Sequence, residues 1–330
     1  MYDMKMTQAN VFRYFKRVIS KCWPIFYERY SMKHFIKSFI VRLISLFGYK
    51  LIRSEKREDL AFPCSSASKA TQRSLSLQYR TLLSQQAPLP KLSDVGFRVY
   101  SQTDEDGIVL FLFSVIGTTN KIFIEIGTGN GIECKCANLA INWGWHGLFI
   151  DGNEQDVASG IIFYDYHPDT NIFPPKFKSA MVDRENINET ISNAGFSGEI
   201  DILSIDIDGM DYWVWEAIDC VNPRVVVVEA NGKFGMRSIT VPYDAEWAYE
   251  PHLHPHYHGA SLPAFTKLAK RKGYRLVGTN RFGFNAFYVR DDIGQEILPA
   301  VTIESCRTHL TRKNDERIFD KISHLPYVEI

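Results

Sequence analysis

Five short apolar runs, each closed by a polar residue or glycine, constrain this chain more than any other feature. They are KIFIEIG (121–127), HGLFIDG (146–152), the weaker FKSAMVD (177–183), EIDILSIDIDG (199–209) and PRVVVVEAN (223–231). Continuous β-branched runs of this length fit strands buried on both faces. Helix-like segments near 133–143, 186–194 and 211–219 lie between them. Strands alternating with helices predict repeated βαβ units and an α/β fold with a parallel sheet covered on both sides. Beyond residue 259 the stretch ASLPAFTKLAKRKG reads as a helix, and YRLVGTNRFGFNAFYVR reads as two strands joined by an Asn/Gly turn.

Composition excludes several classes. With 45% hydrophobic and 23% charged residues in 330, the chain is neither disordered nor a disulfide mini-protein. No apolar run approaches the ~20 residues of a bilayer span, so an integral membrane protein is not expected. The net charge is zero, but residues 1–60 carry +8 and the remainder −8. Segments 9–23 and 32–47 read as basic amphipathic helices; in the second, Phe35, Ile36, Phe39, Ile40, Leu43, Ile44 and Phe47 recur at helical spacing. Such an arm fits either a peripheral membrane contact or packing on protein. The expected organisation is a helical arm (1–53), a Ser- and Gln-rich linker (54–95), a catalytic domain (96–295) and a C-terminal extension (296–330). No secretory leader is read at the N-terminus. The six cysteines, Cys22, Cys64, Cys134, Cys136, Cys220 and Cys306, show no zinc spacing and are expected to be free thiols of a cytoplasmic protein.

The chemistry concentrates at the ends of the predicted strands, where open α/β sheets bind ligands. Glu125-Ile-Gly127-Thr-Gly129-Asn-Gly131 follows the first strand, and its glycines permit positive φ and close approach of a ligand. A dinucleotide fingerprint would require glycine where Ile132 stands. Asp151 closes the second strand, where a carboxylate can accept both hydroxyls of a ribose. Asp183 closes the third, beside an adenine or as a helix cap. Asp206 and Asp208 follow the fourth strand with i, i+2 spacing, as Glu229 and Asn231 do at the fifth. These four oxygen-bearing residues could bind a hard cation such as Mg, or cap helices and hold water. The alternating His252, His254, His256 and His258 read as a solvated loop between Pro251 and Pro255, or as transition-metal ligands. His258 stands at the start of a helix and is a candidate general base.

In order and spacing, the segments YSQTDEDGIVLFLFSVIGTTNKIFIEIGTGNGIECKCANL, GWHGLFIDG, DILSIDIDGMDYWVWEAI, PRVVVVEAN, YHGASLPAFTKLAKRKGYRLVG and NAFYVR resemble FkbM-like class I methyltransferases over about residues 97–290. SQTDEDG departs from the more usual S-Q-[NH]-G-E-D-G of that family, and the histidine tract resembles a local insertion. The resemblance implies a Rossmann-like seven-stranded, mostly parallel sheet with an antiparallel last strand, plus the N-terminal helical extension. It also implies S-adenosylmethionine (SAM) as cofactor, held by Glu125, Gly127, Gly129, Gly131, Asp151 and Asp183. Asp206, Asp208 or His258 would then receive the acceptor's proton, directly or through a cation at Asp206, Asp208, Glu229 and Asn231. The expected reaction is O-methylation of a sugar hydroxyl in a surface polysaccharide or glycolipid. The enzyme is expected in the cytoplasm, at the inner face of the membrane through its arm, with a small-molecule or glycan acceptor and no nucleic acid. Two alternatives stand beside it: a non-catalytic module of the same fold in an assembly or trafficking complex, and an NAD-dependent enzyme. The missing third glycine and the lack of a Tyr-x-x-x-Lys pair count against the latter.

Overall fold

In the computed structural model, residues 67–330 are described. The basic amphipathic arm, Cys22 and Cys64 lie outside the described residues. The β-branched runs form strands β1 (Ile122–Ile126), β2 (His146–Asp151), β3 (Lys176–Ser179), β4 (Gly198–Ile205) and β5 (Val221–Glu229). Later come β6 (Ile239–Thr240), β7 (Tyr274–Thr279), β8 (Asn285–Arg290) and β9 (Val328–Glu329). The main sheet has seven strands in the order β3-β2-β1-β4-β5-β8-β7. Strands β3, β2, β1, β4 and β5 run parallel, and β8 is antiparallel to both its neighbours. The seven-stranded, mostly parallel sheet with a reversed last strand is therefore present.

Alternation along each strand divides the core into two layers. Ile124, Ile126, Ile150, Leu203, Ile205, Val226 and Val228 face one side. There they meet helices α5 (Ile187–Asn193), α6 (Asp211–Ala217) and α7 (Leu262–Arg271) through Ile187, Ile191, Trp215 and Phe265. Phe123, Phe149, Ile202, Val225 and Val227 face the other side. They meet α2 (Glu105–Ile116), α3 (Ala137–Trp143) and α4 (Glu154–Tyr166) through Phe111, Leu112, Leu139 and Tyr164. With apolar side chains on both faces, β1, β4 and β5 are almost fully buried, as a doubly covered sheet requires.

Three local expectations are corrected. The stretch read as a linker contains a 16-residue helix, α1 (Lys69–Ser84), N-capped by Ser68. Its buried side chains are Gln72, Ser76 and Tyr79. Gln72 accepts from Asn138 and Trp143 at 3.0 Å each, and Ser114 donates to Ser76 at 2.7 Å. The helix docks through these polar groups and through Tyr79, Leu75 and Leu83, a mixed face that apolar periodicity does not reveal. Strand β3 ends at Ser179 rather than Asp183, because the chain leaves the sheet after Ala180 donates to Asp151 O. Helix α3 starts at Ala137 rather than near 133, because Glu125 captures the amides of Lys135 and Cys136 just before it.

The C-terminal extension is anchored beside the end of β5. Strand β9 pairs antiparallel with β6. Asp315, at the start of helix α8 (Asp315–Phe319), is buried against Lys233, Arg307 and Arg312 at 3.4, 3.1 and 3.5 Å. Among the described residues, no helix is long and apolar enough to cross a membrane.

Candidate active site

The ends of β1 and β4 touch, and glycine makes that possible. Gly127 has φ 80°, and a Cβ there would lie 1.7 Å from the Asp206 carbonyl oxygen. Asp206 N–H donates to Ile126 O, and Gly127 N–H to Ile150 O, so three strand ends are tied at one point. Gly129 also has positive φ, at 53°, but nothing lies within 4 Å of its Cβ position. The loop therefore presents bare backbone to open space at Gly129, while Gly127 serves close packing. Gly131 is held from below, where Tyr164 donates to its carbonyl at 2.6 Å.

Glu125 is 1% exposed. Its carboxylate accepts from Lys135 N at 2.9 Å and Cys136 N at 2.7 Å, with Ser204 Oγ at 3.3 Å. It pins the far end of the glycine loop to the start of α3. Asp151 holds the near end: its oxygens accept from Gly129 N at 2.6 Å and Asn153 N at 2.8 Å. Each Asp151 oxygen retains a lone pair for a further donor. Asp183 lies past the end of β3, where Oδ1 accepts from Glu185 N and Asn186 N at 2.9 and 2.7 Å. Its carboxylate organises the turn into α5.

Glu125 and Asp206 line one narrow cleft, together with Glu105, Gly127, Glu133, Lys135 and Asn285. Lys135 and Glu105 were not singled out from the sequence. Lys135 Nζ binds Asp206 Oδ2 at 2.6 Å, with the lysine side chain 8% exposed. Burial alone would favour neutral Lys135, but Asp206, Glu125 and Glu105 outweigh it and hold its pKa above the usual lysine value. Glu105 accepts from Thr103 Oγ1, Asn280 Nδ2 and Asn285 Nδ2 at 2.6, 2.9 and 2.7 Å. The cleft thus sets four carboxylates, Glu105, Glu125, Glu133 and Asp206, against one ammonium group. It is suited to a ligand that brings positive charge. The SQTDEDG segment held the sequence signal for Glu105, which falls on the glutamate of the S-Q-[NH]-G-E-D-G pattern; the departure is at Thr103 and Asp104.

Past Asp206 the acids separate in role. Asp211 is 1% exposed and accepts from Ile207 N and Gly209 N at 3.0 Å each, closing the turn after β4. Burial, then the Asp206 charge, pushes its carboxyl up to about 6. Asp208 sits in the left-handed region at φ 53°. Trp247 Nε1 fixes this turn by donating to Asp208 O at 3.0 Å, and its indole lies where a Cβ on Gly209 would stand. Glu229 ends β5, and partial burial, followed by Asp206, Asp211 and Asp208, pushes its carboxyl well above the usual range.

Asn231, expected as a possible metal ligand, is already engaged. Its Nδ2 donates to His256 O and His258 O at 2.9 Å each, and its Oδ1 accepts from Lys233 N. This clamp draws the end of the histidine tract onto β5. His258 Nδ1 lies 3.9 Å from Glu229 Oε2, and Tyr249 packs on the imidazole. Burial lowers the His258 pKa to about 4, against the opposing pull of Asp206, so the ring is neutral at pH 7. Of the four residues expected to hold a cation, Asp208 and Glu229 approach one another with His258 as neighbour. Asp206 is paired with Lys135.

No family model matches the chain, and no curated protein matches it. Solved structures do resemble it. The N-terminal domain of EvdMO1 with SAH bound is similar at 14% identity, covering 66% of this chain and 94% of that one, with a TM-score of 0.37. The O-methyltransferase from Bacillus cereus in complex with SAH is similar at 12% identity, with coverages of 76% and 95% and a TM-score of 0.37. The CcbJ methyltransferase from Streptomyces caelestis is similar at 13% identity, with coverages of 54% and 87% and a TM-score of 0.36. At these values the fold rests on the chain's own topology and the chemistry on its own residues.

Proposed function

We propose that this chain is a SAM-dependent methyltransferase that methylates a hydroxyl group, with a sugar of a surface polysaccharide or glycolipid as acceptor. The observation that carries the reading is the cleft at the joined ends of β1 and β4. Gly127 borders it, and four carboxylates share it with one lysine. SAM brings a sulfonium and an ammonium group, and it supplies an already activated methyl group when bound. The residues fit that ligand. Gly129 leaves open space over the loop, Asp151 keeps lone pairs for ribose hydroxyls, and Glu105 and Glu133 add negative charge beyond the Asp206–Lys135 pair.

Glu125 serves this site by holding the loop in shape. Its two oxygens are taken by backbone amides, so its contribution to the ligand is mainly positional. Methyl transfer needs alignment of donor and acceptor, and a hydroxyl acceptor must also lose a proton. Asp206 is committed to Lys135, so Asp208, Glu229 and neutral His258 are the groups placed to receive it. The order and spacing of the strand-end motifs and the basic N-terminal arm support a lipid-linked glycan acceptor. Incubating the full chain with methyl-labelled SAM and a panel of sugars, glycolipids and small alcohols tests the reading. Label on a sugar oxygen is expected. Saturable SAM binding with no transfer to any acceptor would contradict it and favour the non-catalytic module.

A further inference from the structure

We propose that Asp208, Glu229 and His258 form a binding site for a divalent first-row transition ion of the Mn, Co or Zn class. The ligand atoms of these three side chains all lie within 4.8 Å of one another. They come from three separate elements: the turn after β4, the end of β5, and the loop before α7. His258 Nδ1 and Glu229 Oε2 stand 3.9 Å apart, too far for a hydrogen bond. Two ligands each about 2.1 Å from one metal ion stand roughly 3–3.5 Å apart at tetrahedral or octahedral angles. The groups therefore need only a small contraction to close on an ion.

Two further observations separate this cluster from an ordinary group of surface acids. First, the nearby cation is spent elsewhere: Lys135 binds Asp206, while Asp211 is taken by backbone amides. Among the described residues, no hydrogen bond reaches the Asp208 or Glu229 carboxylate or the His258 ring. Two carboxylates and an imidazole thus converge without a hydrogen-bond partner. Second, two of the three ligands, Asp208 and His258, are held by neighbouring side chains. Trp247 fixes the Asp208 backbone, Asn231 clamps the His258 carbonyl at 2.9 Å, and Tyr249 packs on the imidazole. Outer groups that orient ligands in this way are a regular part of metal sites.

The donor set also selects the ion. Mg and Ca favour all-oxygen shells, whereas an imidazole with two carboxylates suits first-row transition ions. Three protein ligands leave coordination positions for water or a substrate oxygen. Only the role of the ion rests on the methyltransfer reading; its binding does not. The two can therefore fail separately.

The experiment uses untagged full-length protein, stripped of metal, without SAM. Cobalt(II) is titrated while visible ligand-field absorption is recorded, and binding of manganese and zinc is measured by calorimetry. One saturable site is expected. Glu229→Gln and His258→Ala should each weaken it at least about tenfold. Asp206→Asn should retain it, as should a variant with alanine at positions 252, 254 and 256. Circular dichroism on each variant establishes folding. Absence of binding by folded wild-type protein would overturn the proposal. So would wild-type affinity in His258→Ala, loss of the site in the triple histidine variant, or displacement of cobalt by equimolar magnesium.

Discussion

Replacing Glu125 by glutamine separates two roles that one carboxylate can play. As a ligand contact alone, Glu125 would affect cofactor affinity and leave the ligand-free protein as stable as before. In the structure it accepts from the amides of Lys135 and Cys136 at 2.9 and 2.7 Å, in a position 1% exposed. Glutamine keeps one acceptor oxygen and turns the other into a donor facing a donor. One hydrogen bond to a charged group is lost, at about 1.5–3 kcal/mol, and a buried amide is orphaned at roughly 1–3 kcal/mol. The retained bond weakens as its charge disappears. The expected loss is about 4 kcal/mol of unfolding free energy, measured by urea denaturation without ligand. The slope of the transition should be unchanged, since the folded and unfolded surfaces stay the same. SAM affinity should fall as well, because the glycine loop loses its anchor. A Glu125→Gln variant with the wild-type urea midpoint and weakened SAM binding would refute this reasoning and return Glu125 to direct ligand contact.

The two central glycines should fail in different ways. Gly127→Ala meets the Asp206 carbonyl at 1.7 Å in a left-handed backbone, so it should cost at least about 2 kcal/mol of stability in urea denaturation. Gly129→Ala has open space around it, so it should cost about 1 kcal/mol or less and lower SAM affinity by calorimetry. Asp201 accepts from Arg224 at 2.7 Å and from the amides of Thr119, Asn120 and Lys121, all at the edge of β1. Asp201→Ala should therefore cost about 3–5 kcal/mol, read from the same denaturation curves. Asp106 is buried with its Oδ2 accepting from Val99, Tyr100 and Ser101, and burial pushes its carboxyl up to about 6 from 3.8. Its folded pKa is above its unfolded one, so its favourable contribution is complete below about pH 4 and is lost as pH rises through 6. Relative to Asp106→Asn, wild-type stability should fall by roughly 2–2.5 kcal/mol between pH 4 and pH 7. A constant difference over that range would contradict it.

Much of the sheet was legible because its strands are apolar on both faces. β1, β2, β4 and β5 stand within a few residues of the runs that announced them. β3 was harder: it is an edge strand with alternating exposed lysines, Lys176 and Lys178, and it ends four residues before Asp183. Helix α1 was hidden in a Ser- and Gln-rich stretch because it buries Gln72 and Ser76, whose partners Asn138, Trp143 and Ser114 are distant in sequence. The candidate site divides in the same way. Glu125, Gly127, Asp151, Asp206 and Glu229 were visible because strand ends converge in any open α/β sheet. Lys135 was not, since its defining contact is with a residue 71 positions away. Glu105 depends on Asn280 and Asn285, which are 175 and 180 positions away. Asn231 was assigned by spacing, but a side-chain amide can also donate, and here it clamps the loop that carries His258.

The account is tested most directly by titrating the folded full-length protein with SAM in a calorimeter, beside the Asp151→Ala variant. One saturable site per chain is expected, with NAD failing to compete for it. The variant should bind more weakly by about 1–3 kcal/mol, as loss of a buried polar contact costs. A folded wild-type protein that takes up no SAM, or an Asp151→Ala variant that binds it as tightly as wild type, would contradict a SAM site at these strand ends.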